Sequence, residues 1–297
     1  MGHRVTAIIP VFNGAALIRR SIESVLSQTR PADELIVVDD GSTDETSEIV
    51  CGYGPRVRYL RQQNGGVAAA RNNAVKQARS EWIAFLDHDD EWSPKKLERQ
   101  MALLEQHPTA ALCYSAYWLH TLDGSKRLAH LPLRNLWPAA RLSNPFPPSV
   151  AILRRAEFLQ LGGFNERYKG ASCEDWELFV RFLTAYCVIE IAEPLANYYE
   201  VATSGSRNYQ RMLPNTLSIV EHPLLSGLSG AKRAWWRRRI KSVLYYRAAI
   251  SARENGDSAA KYLLQSFAQW PFPDFAPERF KAFAIQLLRR RQPARSV

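Results

Sequence analysis

The stretch "WIAFLDHDDEWSP", Trp82 to Pro94, opens as an apolar strand and ends in Asp87, Asp89, Asp90 and Glu91. Like charges this close repel, so a bound cation or hydrogen bonds to a helix start must offset the repulsion. Mg²⁺ and Mn²⁺ take one or two protein carboxylates and complete their shell with phosphate and water. In an extended segment alternate residues point the same way, so Asp87 and Asp89 can face one ligand while His88 is a spacer. A cap for a helix beginning near Pro94 accounts for Asp90 or Ser93, but not for three aspartates. The 12-residue ligand spacing of an EF-hand is absent.

Working outward, "VTAIIPV" and "ELIVVDD" read as strands, "VRYL" as a third and "WIAFLD" as a fourth. Ile18, Ile22, Val25 and Leu26 share one helical face between the first two, and "GSTDETSEIV" carries helix caps. "GGVAAARNNAVKQA" is an Ala-rich helix, and Leu97, Met101 and Leu104 stripe another. Strand–helix alternation predicts an α/β fold with a Rossmann-like, mostly parallel central sheet flanked by helices. Ligands of such sheets bind beyond the carboxyl ends of the strands, where the acids at 39–40 and 87–91 lie.

Residues 110–205 are less regular. "ALCYSAYWL" and "SVAILRR" read as strands, "LPLRNLWPAARLSNPFPP" as a Pro-rich loop, and Trp176, Phe179, Val180 and Leu183 as one helix face. From about residue 206 the β signal stops. A helical hairpin is expected there: Trp236, Ile240, Val243 and Leu244 line its first helix, which ends at Asn255-Gly256. Leu263, Leu264 and Phe267 line the second, and a basic helix follows. The expected divisions are therefore 1–110, 111–205 and a basic helical region 206–297.

Composition narrows the function classes. With 46% hydrophobic and 23% charged residues, the 297-residue chain can bury a sizeable core. Its net charge of +10 is concentrated late: residues 231–297 hold 15 Lys and Arg against 4 Asp and Glu. Four cysteines without C-x-x-C spacing read as reduced thiols rather than disulfides or zinc ligands. The chain goes from "MGHR" straight into a strand and has no apolar run of transmembrane length, so a cytoplasmic protein without a signal peptide is expected. "KRAWWRRRIK" mixes Trp and Arg on a helix, which suits an anionic membrane surface or a solvated basic face. No nucleic-acid motif accompanies it, and no nucleic-acid partner is expected.

Other short motifs have a plain and a chemical reading. Asp39-Asp40-Gly41-Ser42 is either a strand end with a helix cap or a carboxylate pair that accepts from an imide N–H or a ribose hydroxyl. Asn64-Gly65-Gly66 is a turn that could bring backbone to a phosphate or base, with Arg71 one helical turn further. Glu174-Asp175 is an N-cap or a general base. Cys173 has no neighbouring His to make it a nucleophile.

The order of these pieces is more specific than any one of them. "TAIIPVFNG", "ELIVVDDGSTDET", "NGGVAAARN", "FLDHDD", "GGFNE" and "EDW" together resemble the family-2 inverting glycosyltransferases of GT-A fold, over about residues 4–200. The resemblance implies a nucleotide-diphosphate sugar donor, most often UDP-linked, and a glycan or lipid-linked acceptor. It implies that Pro10, Phe12 and Asn13 line the nucleotide, that Asp40 beside Asp39 reads the uracil, and that Gly65, Arg71, Asp87 and His88 complete the nucleotide site. Asp87 and Asp89 match the D-x-D motif, with Asp89 the principal ligand of Mn²⁺ or Mg²⁺. Asp175 matches the catalytic base and Glu174 its alternative. The implied role is polysaccharide or glycolipid biosynthesis. Two features depart from the family: Phe12 stands where Tyr is common, and Glu200 and Ala202 replace an Arg and a His, leaving Arg207 to stand in. Sugar-1-phosphate nucleotidylyltransferases would need a Gly-rich basic loop after the first strand, which "PVFNGAALIRR" lacks. A catalytically silent nucleotide- or carbohydrate-binding module is the remaining alternative.

Overall fold

The computed structural model describes residues 4–140, 142–168, 173–201, 208–221 and 228–272. Ala202, Arg207 and the expected last basic helix lie outside them. The chain divides into two compact units, 1–204 and 205–297.

The first unit is built on one nine-stranded sheet. Its centre is β1, Val5–Val11, whose seven residues are all buried, as expected of a strand covered on both faces. β2 (Glu34–Asp39) and β4 (Trp82–Phe85) flank it in parallel, and β3 (Arg58–Arg61) extends it beyond β2. The β4 ladder stops at Ile8–Phe85, so Pro10, which has no N–H to donate, lies past the end of that pairing. α1 (Ile18–Leu26), α2 (Thr46–Cys51) and α3 (Val67–Gln77) make the crossovers, and Ile18, Ile22 and Val25 form the buried stripe of α1.

Beyond β4 the sheet becomes mixed. β5 (Glu91–Trp92) and α4 (Lys96–Gln106) precede the long β6 (Ala110–His120) and its hairpin partner β7 (Lys126–Ala129). α5 (Leu133–Ala140), β8 (Ala151–Arg154) and α6 (Arg155–Gln160) follow, then α7 (Glu174–Ala185) and β9 (Cys187–Tyr199). β8 is antiparallel to both β4 and β6, whereas β9 runs parallel to β6. The parallel pairing expected from the sequence therefore holds for β3-β2-β1-β4, and the later strands curl the sheet with antiparallel pairs. Besides the short β5, β7 and α6, and the helix Tyr209–Glu221 in the second unit, two elements near the site escaped the sequence pattern. α5 arises inside the expected Pro-rich loop, with Leu136 buried. β9 was hidden because its alternation is broken by "AEP" and by register shifts against β6.

The described residues of the second unit form helices α8 (Tyr209–Glu221), α9 (Gly230–Glu254) and α10 (Ala260–Gln269). The α9–α10 hairpin ends its first helix at Asn255 with Gly256 at φ 80°, as the Asn-Gly pair predicts. Buried Ser242 and Ser266 exchange hydroxyl-to-carbonyl bonds of 2.9 and 2.8 Å. Ile240, Val243, Leu244 and Leu263 are buried, but Leu264, expected on the core stripe, is 54% exposed. No described helix is long and apolar enough to cross a membrane.

Candidate active site

The acidic segment after β4 is a turn, closed by the Asp90 amide donating to the Asp87 carbonyl at 3.0 Å. The expected extended zigzag is therefore replaced by a turn that α1 grips from below. The Ser21 hydroxyl donates to the His88 and Asp90 carbonyls at 2.7 and 2.8 Å, and the Arg20 guanidinium donates to the Asp89 carbonyl. His88 fits because Gly14 has no side chain: a Cβ there would lie 2.6 Å from the His88 ring.

The crowded acids are accommodated in three ways. Asp90 is fully buried, accepts from the Ser149 hydroxyl at 2.5 Å and from the Tyr199 amide at 3.1 Å, and is pushed well above the ordinary carboxylate range by burial and by Asp87 and Asp89. Asp90 thus stitches β9 and residue 149 to the turn rather than starting α4. Glu91 lies in β5 and accepts from the Tyr199 hydroxyl at 3.1 Å. Asp87 accepts from Arg71 at 2.5 Å. Asp89 is raised by burial and then by Asp87. The side chains left for a cation are Asp89 and Asp87. Among the described residues no three His, Cys, Asp or Glu side chains form a complete cage. Two carboxylates suit Mg²⁺ or Mn²⁺, which draw the rest of their shell from phosphate and water.

Arg71 joins this turn to the start of α7. Its guanidinium is buried, donates to Asp87 at 2.5 Å and to Glu174 at 3.0 Å, and lies 5.1 Å from the Phe164 ring centroid. Its pKa is raised: burial opposes the shift, and Asp87 and Glu174 outweigh it. Glu174 is 4% exposed. Asp175 is raised to about 8 by burial and by Glu174, with Arg71 opposing. Its Oδ2 accepts from Asn144 at 2.7 Å and its Oδ1 from the Trp176 amide at 2.7 Å. Burial and the adjacent Glu174 push the Cys173 thiol up as well, so it is no thiolate nucleophile.

At the far end of β1 and β2 the loops interlock. Asn13, at φ 50°, donates its amide to the Ser42 hydroxyl at 2.9 Å, and its side chain accepts from the Thr43 amide at 2.8 Å. Asp39 accepts from the Ser42 amide at 2.7 Å and from the Tyr59 hydroxyl at 2.5 Å. Asp40 accepts from Gln62 at 2.8 Å and from the Gly65 and Gly66 amides at 2.8 and 2.7 Å. Both glycine amides therefore bond to Asp40 and shape the entry to α3, instead of facing outward as phosphate donors. Phe12 stands beside this junction 46% exposed, which leaves its ring face accessible. Glu200, one of the two departures, donates its amide to the His120 carbonyl at 2.9 Å, at the far end of β6.

Comparison with known proteins agrees with this architecture. The sequence profile described as glycosyl transferase family 2 matches residues 6–160. The chain belongs to glycosyl transferase family 2. A second profile, the N-terminal domain of galactosyltransferase, matches residues 143–204. The putative teichuronic acid biosynthesis glycosyltransferase TuaG of Bacillus subtilis is 37% identical over 69% of this chain and 82% of its own length. An uncharacterized glycosyltransferase of Rickettsia felis is 32% identical over 60% of this chain, which spans only 31% of that longer protein. Among solved structures, Staphylococcus aureus TarS 1–349 in complex with UDP-GlcNAc superimposes with a TM-score of 0.65 at 18% identity, covering 98% of this chain and 93% of TarS. A mannosyltransferase from Pyrobaculum calidifontis in complex with GDP-Man and Mn²⁺ gives 0.61 at 19% identity, covering 97% and 85%. These structural likenesses place the glycosyltransferase in the GT-A fold.

The family 2 glycosyltransferase thus brings Asp87, Asp89, Arg71, Glu174 and Asp175 into one charged cluster, with Phe12, Asn13, Asp39 and Asp40 on a neighbouring one. Sequence reading missed Ser149, Ser21, Arg20 and Asn144. Ser149 donates to Asp90, accepts from the Asp87 amide at 3.1 Å and receives the Trp92 indole on its carbonyl at 2.8 Å. None of the four carries a local signal, because each acts on residues far away in the chain.

Proposed function

We propose that this glycosyltransferase moves a hexosyl group from a nucleotide-diphosphate sugar, UDP-linked, to an acceptor hydroxyl with inversion at the anomeric carbon. The observation that carries the reading is the Arg71 bridge, which ties the acidic turn to the start of α7. A diphosphate at the turn and a hydroxyl at Asp175 would then share one cleft.

Asp175 serves as general base. A carboxylate raised toward 8 retains the proton it takes from an attacking hydroxyl. The hydroxyl oxygen forms the new bond to the anomeric carbon as the bond to the diphosphate breaks on the opposite face. Asp89 and Asp87 would hold Mn²⁺ or Mg²⁺, which when bound neutralises charge on the departing diphosphate and removes the need for a general acid. Phe12 stacks on the base. Asp40 has three of its roughly four acceptor positions filled from within the chain, leaving one for an imide N–H. The UDP-GlcNAc complex of TarS and the GDP-Man and Mn²⁺ complex of the mannosyltransferase support nucleotide-sugar use.

The name of TuaG supports a role in polysaccharide biosynthesis, with a glycan or lipid-linked acceptor handled on the cytoplasmic side. Peripheral attachment through region 231–297 belongs to the same proposal. In that region Trp235 is 39% exposed with the Arg239 guanidinium 4.2 Å from its ring centroid, a pairing suited to the headgroup level of an anionic membrane. Failure to sediment with anionic liposomes at moderate salt would remove this part.

The test of the catalytic reading is Mn²⁺-dependent UDP release from a panel of UDP-sugars, lost in Asp89→Ala and Asp175→Asn. Tight UDP binding with no transfer or hydrolysis across the panel would make the chain a binding module instead.

A further inference from the structure

The carboxylate assigned as base is held by a residue with no motif. Asn144 lies between two anchors. On one side the Ala140 carbonyl accepts from the Trp176 indole at 2.5 Å. On the other, buried Phe146 stacks on Tyr114 and packs against Phe179, each with ring centroids 4.5 Å apart. Both anchors tie this segment to the elements that carry or support α7, so the Asn144 amide meets Asp175 Oδ2 at 2.7 Å across 31 residues of chain.

Among the described residues the two oxygens of Asp175 each have one donor, the Asn144 amide on Oδ2 and the Trp176 backbone on Oδ1. Each oxygen keeps a lone pair for a substrate proton. The charged and titratable groups facing this carboxyl are Glu174 on α7, Arg71 on α3, Asp87 in the acidic turn and Tyr198 on β9. A cation at position 144 would hold Asp175 ionised and weaken it as a base, and an apolar side chain would leave it free to rotate. A neutral amide avoids both. Among the described residues the buried carbonyl oxygen of Asn144 has no hydrogen-bond partner, so no other bond among them fixes the amide. It can donate to the carboxylate before proton transfer and, turned over, accept from the carboxylic acid afterwards.

We propose that Asn144 is a positioning residue for Asp175, fixing the base in its working rotamer with a neutral donor in place of a cation. This rests on Asp175 being the base, and the experiment separates the two claims. The full chain is labelled at the aspartate carboxyl carbons, and the Asp175 signal is assigned by its loss in Asp175→Asn. Its titration is followed by NMR in the parent, Asn144→Ala, Asn144→Asp and Asn144→Ser. UDP-sugar turnover is measured on the same proteins with Mn²⁺.

Removing a donor to the ionised form moves the Asp175 midpoint up by about one unit in Asn144→Ala, and a second carboxylate moves it further in Asn144→Asp. In Asn144→Ala kcat falls about 10- to 100-fold while donor KM stays within about twofold. Asn144→Ser, which keeps a hydroxyl donor, recovers part of both effects. An unmoved midpoint, or kcat within about twofold of the parent, overturns the proposal. Full turnover by Asp175→Asn, with the Asn144→Ala titration shift intact, would overturn the base assignment while leaving the contact standing.

Discussion

Arg71→Met tests whether the charged cluster is one structural unit. Arg71 is 3% exposed, and its partner Glu174 is buried nearly as deeply. Deleting one partner of a buried pair costs about 3–5 kcal/mol, because the stranded charges lose their compensation. For a unit of this size each kcal/mol corresponds to about 2–4 °C in Tm, so melting should fall by roughly 6–20 °C. Arg71→Lys recovers only part, since one ammonium cannot reproduce the two-armed contact. Arg71→Met with Glu174→Gln should be more stable than the sum of the single changes, by about 0.5–3 kcal/mol. Thermal melting of the parent, the single variants and the double variant reads all of this. A Tm drop under about 2 °C in Arg71→Met would refute the reasoning.

Other sites give separate tests. Lys96 is fully buried, its ammonium 4.3 Å from the Trp92 ring centroid and without a hydrogen-bond partner among the described residues, and burial lowers it to about 7. The unfolded chain therefore holds a proton that the folded one releases between about pH 7 and 10, and stability rises with pH across that window. Lys96→Met should flatten the rise and add about 1–3 kcal/mol at pH 7 in urea melts. Asp175 has the opposite sign: its folded value of about 8 lies above the unfolded one, so its contribution is complete below about pH 4 and fades as pH rises toward 8. That slope should vanish from urea melts of Asp175→Asn. Ser149→Ala removes the donor to Asp90 and should cost about 1–3 kcal/mol, with weaker Mn²⁺ binding by calorimetry. Phe12→Ala should weaken UDP binding by about 1–3 kcal/mol without changing Tm, if the exposed ring stacks on the base.

The sequence revealed the scaffold where local pattern decides structure. The apolar runs of β1, β2 and β4 and the Ala-rich α3 are repeating local signals, and the acidic turn follows directly from β4. α5 and β9 were illegible because burial by distant partners outweighed a Pro-rich composition in one and a broken alternation in the other. The site divides along the same line. Asp87, Asp89, Glu174 and Asp175 stand out as acid clusters at element ends. The burial of Arg71 between Asp87 and Glu174, the Ser149 link to Asp90 and the Asn144 hold on Asp175 depend on contacts 16 to 103 residues apart. The zigzag argument for Asp87 and Asp89 failed because the Asp90-to-Asp87 hydrogen bond bends the segment into a turn.

The most direct test of the central claim is the anomeric configuration of the first product released, read by ¹H NMR during Mn²⁺-dependent turnover of an α-linked UDP-sugar. One displacement with Asp175 as base predicts a β-linked product or β-sugar, and none from Asp175→Asn. An α-configured first product, or parent-level turnover by Asp175→Asn, would contradict it.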